Sequence, residues 1–261
     1  MRFCLLTLLI VMTASGPRAQ DSSPVPASAR QLLVVTTPSW TSTSGTLQRY
    51  ARDEDRWRPV GPEVGVIVGR SGLGWGRGLH GDGSDLDGPR KAEGDGRAPA
   101  GAFRLSAAFG YAEAEATGLP YVPTNADVEC VDDAASGVYN RVLDRASVAE
   151  ADWQSHEEMR RSDGLYRIGV IVAHNGPGVD ASLLPGSDAP AASEPVPGGG
   201  SCIFLHVWRG AGTSTAGCTA MPDPALQEVL AWLAAEADPV LVQLPEAEAA
   251  QLRGPWGLPA P

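Results

Sequence analysis

Gly200 to Met221 reads GSCIFLHVWRGAGTSTAGCTAM. Ser201 to Trp208 has the composition of a strand: Ile203, Phe204, Leu205 and Val207 are β-branched, aromatic or aliphatic, and glycines punctuate both sides. Near the end of the strand stands His206, and twelve residues later comes Cys218, set among the small residues Thr215-Ala216-Gly217. A cysteine nucleophile needs a base, because a free thiol titrates near ~8.5 and is mostly protonated at neutral pH. It also needs room for a substrate carbonyl and backbone N–H groups aimed at the oxyanion, and flanking glycine and alanine leave that room. Two cysteines compete for the role. Cys202 and His206 lie four apart on one strand, on the same face but about 13 Å apart at ~3.3 Å per residue. Cys218 follows a turn that can return it to the histidine, so Cys218 is the better candidate for the nucleophile, while a histidine on an apolar strand by itself reads first as a packed strand residue.

Outward from this stretch, short apolar runs recur between turn signals. Gln31 to Thr37, Val64 to Val68, Tyr166 to Ala173 and Pro239 to Leu244 read as strands, with a further short strand inside Lys91 to Leu105. The segments Gly69 to Gly88 and Gly176 to Gly200 read as loops. Val148 to Arg161 has helix-like composition, with Trp153 and Met159 as candidate buried positions. A second helix is expected to start at Asp223-Pro224, with Asp as N-cap, and to run to about Glu236 with Leu226, Val229, Leu230 and Leu233 inward. Glycine and proline, 31 and 22 of 261 residues, favour strands joined by turns over a helical bundle. The fold class is therefore mainly β with a few short helices.

With 43% hydrophobic and 20% charged residues the chain can bury a core. A formal charge of −11 argues against a general binder of nucleic acid or anionic membranes. Met1-Arg2 followed by the apolar run Phe3 to Met12 reads as a secretory signal peptide over residues 1–20, too short for a bilayer span. A Pro/Ser-rich lead-in over 21–30, a single domain over 31–246 and a C-terminal tail over 247–261 complete the expected organisation. The mature chain is expected in the periplasm or cell envelope, with no stable membrane insertion.

The segments GSCIFLHVW and TSTAGCTAM resemble the catalytic segment of the L,D-transpeptidase (YkuD-type) family, in which a strand histidine is followed by Ser/Thr-x-Gly-Cys. The resemblance extends through GRSGLGWGRG (69–78), KAEGDGRAPAGAFRL (91–105), CVDDAASGVYN (130–140) and YRIGVIVAHN (166–175), and so covers most of the chain from about Gly61 to Leu244. It implies an L,D-transpeptidase-like β barrel or sandwich. It also implies Cys218 as nucleophile, His206 as base, Gly217 as part of the backbone oxyanion site, and peptidoglycan stem peptides as substrate, with no cofactor. Two positions depart from the family: Ala220 stands where an Arg is frequent, and Val207 where a Gly commonly follows the histidine.

If Cys218 must stay a thiol, then of the three cysteines left after leader removal only Cys130 and Cys202 can pair, as an oxidising compartment favours. The alternative is two separate buried thiols. His174, Asn175, Trp75 and Thr215 are candidates to line the cleft and bind substrate. Packing competes as an explanation for His174, as a strand-end residue, and for Trp75, as an anchor of its glycine loop. His80 and His156 are expected in solvent, the latter on the 148–161 helix. Glu93, Asp95 and Arg97 could orient substrate, although Asp95-Gly96 reads first as a turn. No C-x-x-C or H-x-x-H pair supports a metal site. Three functions remain open: transpeptidation, hydrolysis of the same thioester, and a cell-wall binding module that has lost activity.

Overall fold

A computed structural model describes residues 23–184 and 194–260. The expected leader over 1–20 and the centre of the Gly176 to Gly200 loop lie outside the described residues. In chain order the first strands are β1 (Gln31–Thr37), β2 (Ser44–Asp53), β3 (Arg56–Ile67), β4 (Leu73–Trp75) and β5 (Ala98–Gly110). Then come β6 (Tyr121–Pro123), β7 (Val128–Val131), β8 (Arg141–Asp144) and β9 (His156–Glu158). The chain continues through β10 (Ile168–Val172), β11 (Gly178–Val179), β12 (Phe204–Val207) and β13 (Thr219–Met221). It ends with helix α1 (Asp223–Trp232), β14 (Val240–Pro245) and helix α2 (Glu246–Leu252).

Most of these strands form one sheet in the order β10-β12-β13-β3-β2-β1-β14-β5, and β5 pairs back onto β10, so the sheet closes into a barrel. The fold is mainly β with short helices, as composition and turn density predict. Closure removes the free edges that an open sheet would expose. Inside, Leu33, Leu47, Val66, Phe103, Val170 and Leu205 pack with Leu226, Val229 and Leu230 of α1, which lies against the barrel. A second layer around Leu32, Trp75 and Val242 takes in Val25 and Ala29 from the lead-in and Trp256 from beyond α2. Residues past 246 thus turn back onto the barrel, and the lead-in supplies core residues as well.

A separate four-stranded sheet, β11-β8-β7-β9, packs on the barrel through Val128, Cys130, Val142 and Met159 against Phe109, Ile171, Phe204 and Cys218. It holds the main correction to the sequence reading: Val148 to Arg161 is no helix but a loop, which follows a 3-10 turn (Arg145–Ser147), and β9. Trp153 and Met159 are six apart, a spacing that gives no helical stripe. Asp133 and Asp152 instead draw this segment onto the 133–137 loop: Asp133 accepts the Gln154 N–H at 2.9 Å, and Asp152 accepts from Ser136 Oγ and the Gly137 N–H. The second helix is real but shorter than expected. Pro222 is its N-cap; Asp223 lies in the first turn and bonds Arg167 and Gln227 rather than capping. It ends at Trp232, with Leu233 buried just beyond.

Candidate active site

The barrel sets the geometry of the cysteine–histidine pair. β12 and β13 run parallel, with Leu205 opposite Thr219 and His206 opposite Ala220. Cys218, one residue before β13, therefore falls opposite Phe204. Because side chains alternate along a strand, Cys218 shares a face with Ala220 and so with His206, two residues up the neighbouring strand. That offset is roughly 6–7 Å along the strands and ~4.8 Å across, within reach of an imidazole and a thiol leaning together. Both residues line one cleft of about 240 Å³, together with Thr215, Gly217 and Tyr166.

The Cys218 sulfur accepts the Phe204 N–H at 3.3 Å and its thiol donates to the Cys202 carbonyl at 3.4 Å. Burial, and then the nearby Glu157, push the thiol up to about 12. His206 is also buried, which brings its imidazole down to about 4. Its Nδ1 lies 2.8 Å from the Val207 carbonyl, which can only accept, so Nδ1 carries the proton and Nε2 keeps a free lone pair. At neutral pH the pair is a neutral thiol beside a neutral imidazole. A thiolate is therefore made only as it is used, with proton removal coupled to attack.

Two groups at the sulfur escaped the sequence reading. Tyr166 donates its hydroxyl to Glu157 Oε2 at 2.5 Å, sets its ring edge-on to His206 at 5.1 Å between centroids, and lines the cleft together with Cys218. Glu157 comes from β9, inside the segment misread as a helix, which hid it. Tyr166 stands two residues before β10, in a run rich in apolar residues, and gave no signal beyond hydrophobicity. The cleft also has charged residues on its wall: Arg70, Lys91, Glu93 and Asp132. Arg70 is exposed, whereas Lys91 is buried against Asp95 at 2.7 Å.

The remaining expected residues divide. Thr215 is in the cleft, where its hydroxyl donates to the Cys218 carbonyl at 2.6 Å and accepts the Gly217 N–H at 3.2 Å. An oxyanion at Gly217 must therefore take that N–H from Thr215. His174, Asn175 and Trp75 do not line the cleft. His174 is buried: Nδ1 accepts the Arg77 N–H, Nε2 donates to the Gly199 carbonyl, and burial brings it down to about 3. Asn175 spends its amide on the Val196 and Gly200 carbonyls and on the Val196 N–H, tying down the end of the 176–200 loop. Trp75 donates to the Asp87 carbonyl and packs edge-on to Trp40 at 5.2 Å. His80, expected in solvent, bridges Gly76 and Ala102, and burial lowers its pKa. His156 is half exposed, on β9 rather than on a helix, 3.2 Å from Glu129. Asp95 accepts the Ala92 and Arg97 N–H groups, a turn role, while Arg97 binds the Ser71 and Leu73 carbonyls.

Cys130 and Cys202 are joined as a disulfide, their Cα atoms 5.9 Å apart, and Cys218 is a free, buried thiol. Cys202 adopts a left-handed backbone (φ 55°) and donates its N–H to Asn140 Oδ1, whose amide in turn holds the carbonyls of His174 and Asn175. The bridge thus ties β7 to the segment leading into β12. Among the described residues no group of three His, Cys, Asp or Glu side chains is placed to hold a metal, and no helix is long and apolar enough to cross a membrane.

The family model of the L,D-transpeptidase catalytic domain matches residues 37–242, a span that runs from the end of β1 into β14 and includes the whole cleft. No curated protein and no solved structure gives a match. With most of the chain inside that span, and a β12–β13 cleft holding the cysteine and histidine of the motif, the chain belongs to the L,D-transpeptidase catalytic domain family.

Proposed function

We propose that this protein is an exported cysteine acyltransferase that cross-links or modifies peptidoglycan stem peptides through a thioester on Cys218. The observation that carries the proposal is the placement of Cys218 and His206 on one face of adjacent parallel strands, open to one cleft. His206 Nε2 takes the thiol proton as the sulfur attacks the carbonyl carbon of the donor stem's third residue. The tetrahedral intermediate collapses with loss of the C–N bond, and His206 returns the proton to the departing D-amino acid. An amine of a second stem then attacks the thioester, gives its proton to His206, and displaces Cys218, which is reprotonated. Gly217 offers its N–H to the oxyanion once Thr215 releases it, and Thr215 shapes the floor beside the sulfur.

Export is supported by the Met1 to Met12 composition and by the Cys130–Cys202 pairing, which suits an oxidising compartment. Incubation with purified muropeptides and mass analysis tests the activity. A linked dimer is the expected product. A shortened monomer alone replaces transfer with hydrolysis, and an absence of turnover with intact folded protein removes the enzymatic reading.

A further inference from the structure

Tyr166 and Glu157 take no part in the mechanism above, yet both line the cleft of the reacting sulfur, Tyr166 buried and Glu157 half-buried. Tyr166 is 5% exposed, packed edge-on between Phe109, Phe204 and His206. Its hydroxyl donates to Glu157 Oε2 at 2.5 Å, and Tyr166 and Glu157 line the same cleft as Cys218, with Tyr166 and Cys218 packed in one buried cluster. We propose that Tyr166 is a further catalytic residue, which donates its hydroxyl to the Cys218 sulfur as the thiolate forms, and that Glu157 is the residue that positions it. The proposal rests on Cys218 being the nucleophile.

The physical need is clear from the surroundings. A buried thiolate must find hydrogen-bond donors, since desolvation of an unpaired charge is costly. The Phe204 N–H is one donor. The Cys202 carbonyl beside the sulfur can only accept, so it favours the protonated thiol and repels the thiolate. A second donor is therefore required, and the Tyr166 hydroxyl, on the wall of the same cleft, can turn to supply it. While Glu157 is ionised, that hydroxyl points at the carboxylate. When Glu157 is protonated it donates to Tyr166 Oη, and the tyrosine O–H turns to the sulfur. Each oxygen keeps its own proton through this turn, and the thiol proton goes to His206. Burial, reinforced by Asp132 and Glu93 and opposed by the Tyr166 bond and Arg161, raises the Glu157 pKa and so favours the protonated carboxyl.

The test reads the sulfur without substrate, by the rate of Cys218 alkylation with iodoacetamide as a function of pH in the folded protein. Tyr166→Phe keeps the ring and removes the donor; alkylation at fixed pH is expected to slow roughly 10- to 100-fold, the range for a lost hydrogen bond to a charged group, with the titration displaced upward. Glu157→Ala is expected to match it, Glu157→Gln to recover most of the loss because its amide also donates, and the Ala/Phe double variant to lose no more than either alone. Acylation by muropeptides should fall in parallel. Wild-type alkylation rate and titration in folded Tyr166→Phe overturn the role of Tyr166. Equal losses in Glu157→Gln and Glu157→Ala overturn that of Glu157. Unchanged muropeptide turnover in a Cys218→Ala protein would instead sink the nucleophile assignment, a separate failure.

Discussion

The barrel and the four-stranded sheet each deliver part of the cleft, and they hold it by different means. Barrel strands reach 13 residues in β5, and even the short β12 and β13 are paired on both sides, so the offset between His206 and Cys218 follows from pairing. Strands of the smaller sheet run to two, three or four residues. Sheets that short have little stability of their own, and here one disulfide, the Asn140 side chain and the Asp133 and Asp152 caps supply what pairing does not. The nucleophile, the base and Tyr166, which leads into β10, thus rest on the barrel, and Glu157, which bonds Tyr166, rests on the sheet that is stapled. Each region can be broken without the other, which makes the division testable.

The largest effect lies in the barrel pair. Cys218→Ala should abolish turnover while folding normally, because a small side chain among Thr215, Ala216 and Gly217 loses about 1 kcal/mol of packing. His206→Gln should slow acylation by roughly 10²–10⁴, the range for a lost general base. Mass detection of the acyl-enzyme in each variant reads both.

Next comes the staple. Replacing both Cys130 and Cys202 by alanine opens a loop of sequence separation 72, for which chain entropy gives about 4 kcal/mol of lost stability. Urea unfolding measures that loss. In the protein that remains folded, the barrel pair keeps its register while the Cys202 carbonyl and β9 are freed from the sulfur, so the alkylation profile of Cys218 should change. An unchanged profile would show that the barrel holds the whole site unaided.

The same division explains what the sequence made legible. The barrel strands at Gln31 to Thr37, Tyr166 to Ala173, Ser201 to Trp208 and Pro239 to Leu244 announce themselves as β-branched apolar runs, and β12 carries its histidine in plain view. β2, SGTLQRYARD, does not, because one face meets solvent and the pattern is mostly polar. In the smaller sheet, strands of two to four residues are too short for any period to emerge, and a segment shaped by aspartate side chains bonding backbone N–H groups passes for a polar helix. Glu157 was missed for that reason. His174, Asn175 and Trp75 raise a different limit. Residue type and loop position cannot tell a group facing a cleft from one fastening a loop, since the same hydrogen-bonding capacity serves both.

Buried histidines on the barrel leave a mark in the acid range. His206 and His174, at about 4 and about 3 in the folded protein, and His80, also lowered, bind fewer protons folded than unfolded. Their contribution is complete above the unfolded value of ~6.5 and is lost as pH falls toward the folded values, at up to about 1.4 kcal/mol per pH unit for His206 and for His174. Glu157, raised by burial, works in the opposite direction. The difference between wild type and His206→Gln cancels that opposing share, so the slope of stability between pH 6 and 5 should drop by about 1.2 kcal/mol per unit in the variant. Equal slopes would mean that His206 is solvated and free to charge.

The smallest expected effect concerns the position where the family commonly has arginine and this chain has Ala220. Ala220 is fully buried between His206 of β12 and Ile67 of β3, so no long cation fits there without opening the sheet. Arg70, just past β3, is the cation on the cleft wall able to serve a substrate carboxylate. Its side chain is exposed and makes only a long 3.4 Å contact with the Gly94 carbonyl, while its backbone N–H is fixed to Thr215. Lys91, the other cation, is committed to Asp95. An exposed ion pair contributes up to ~1 kcal/mol, so Arg70→Ala should raise KM by up to about fivefold and leave kcat and thermal stability near wild type. Steady-state kinetics on stem peptides of different terminal charge measures it: the penalty should vanish for donors amidated at that carboxylate. A penalty that is the same for amidated and free donors would mean that Arg70 shapes the Thr215 turn instead of meeting charge.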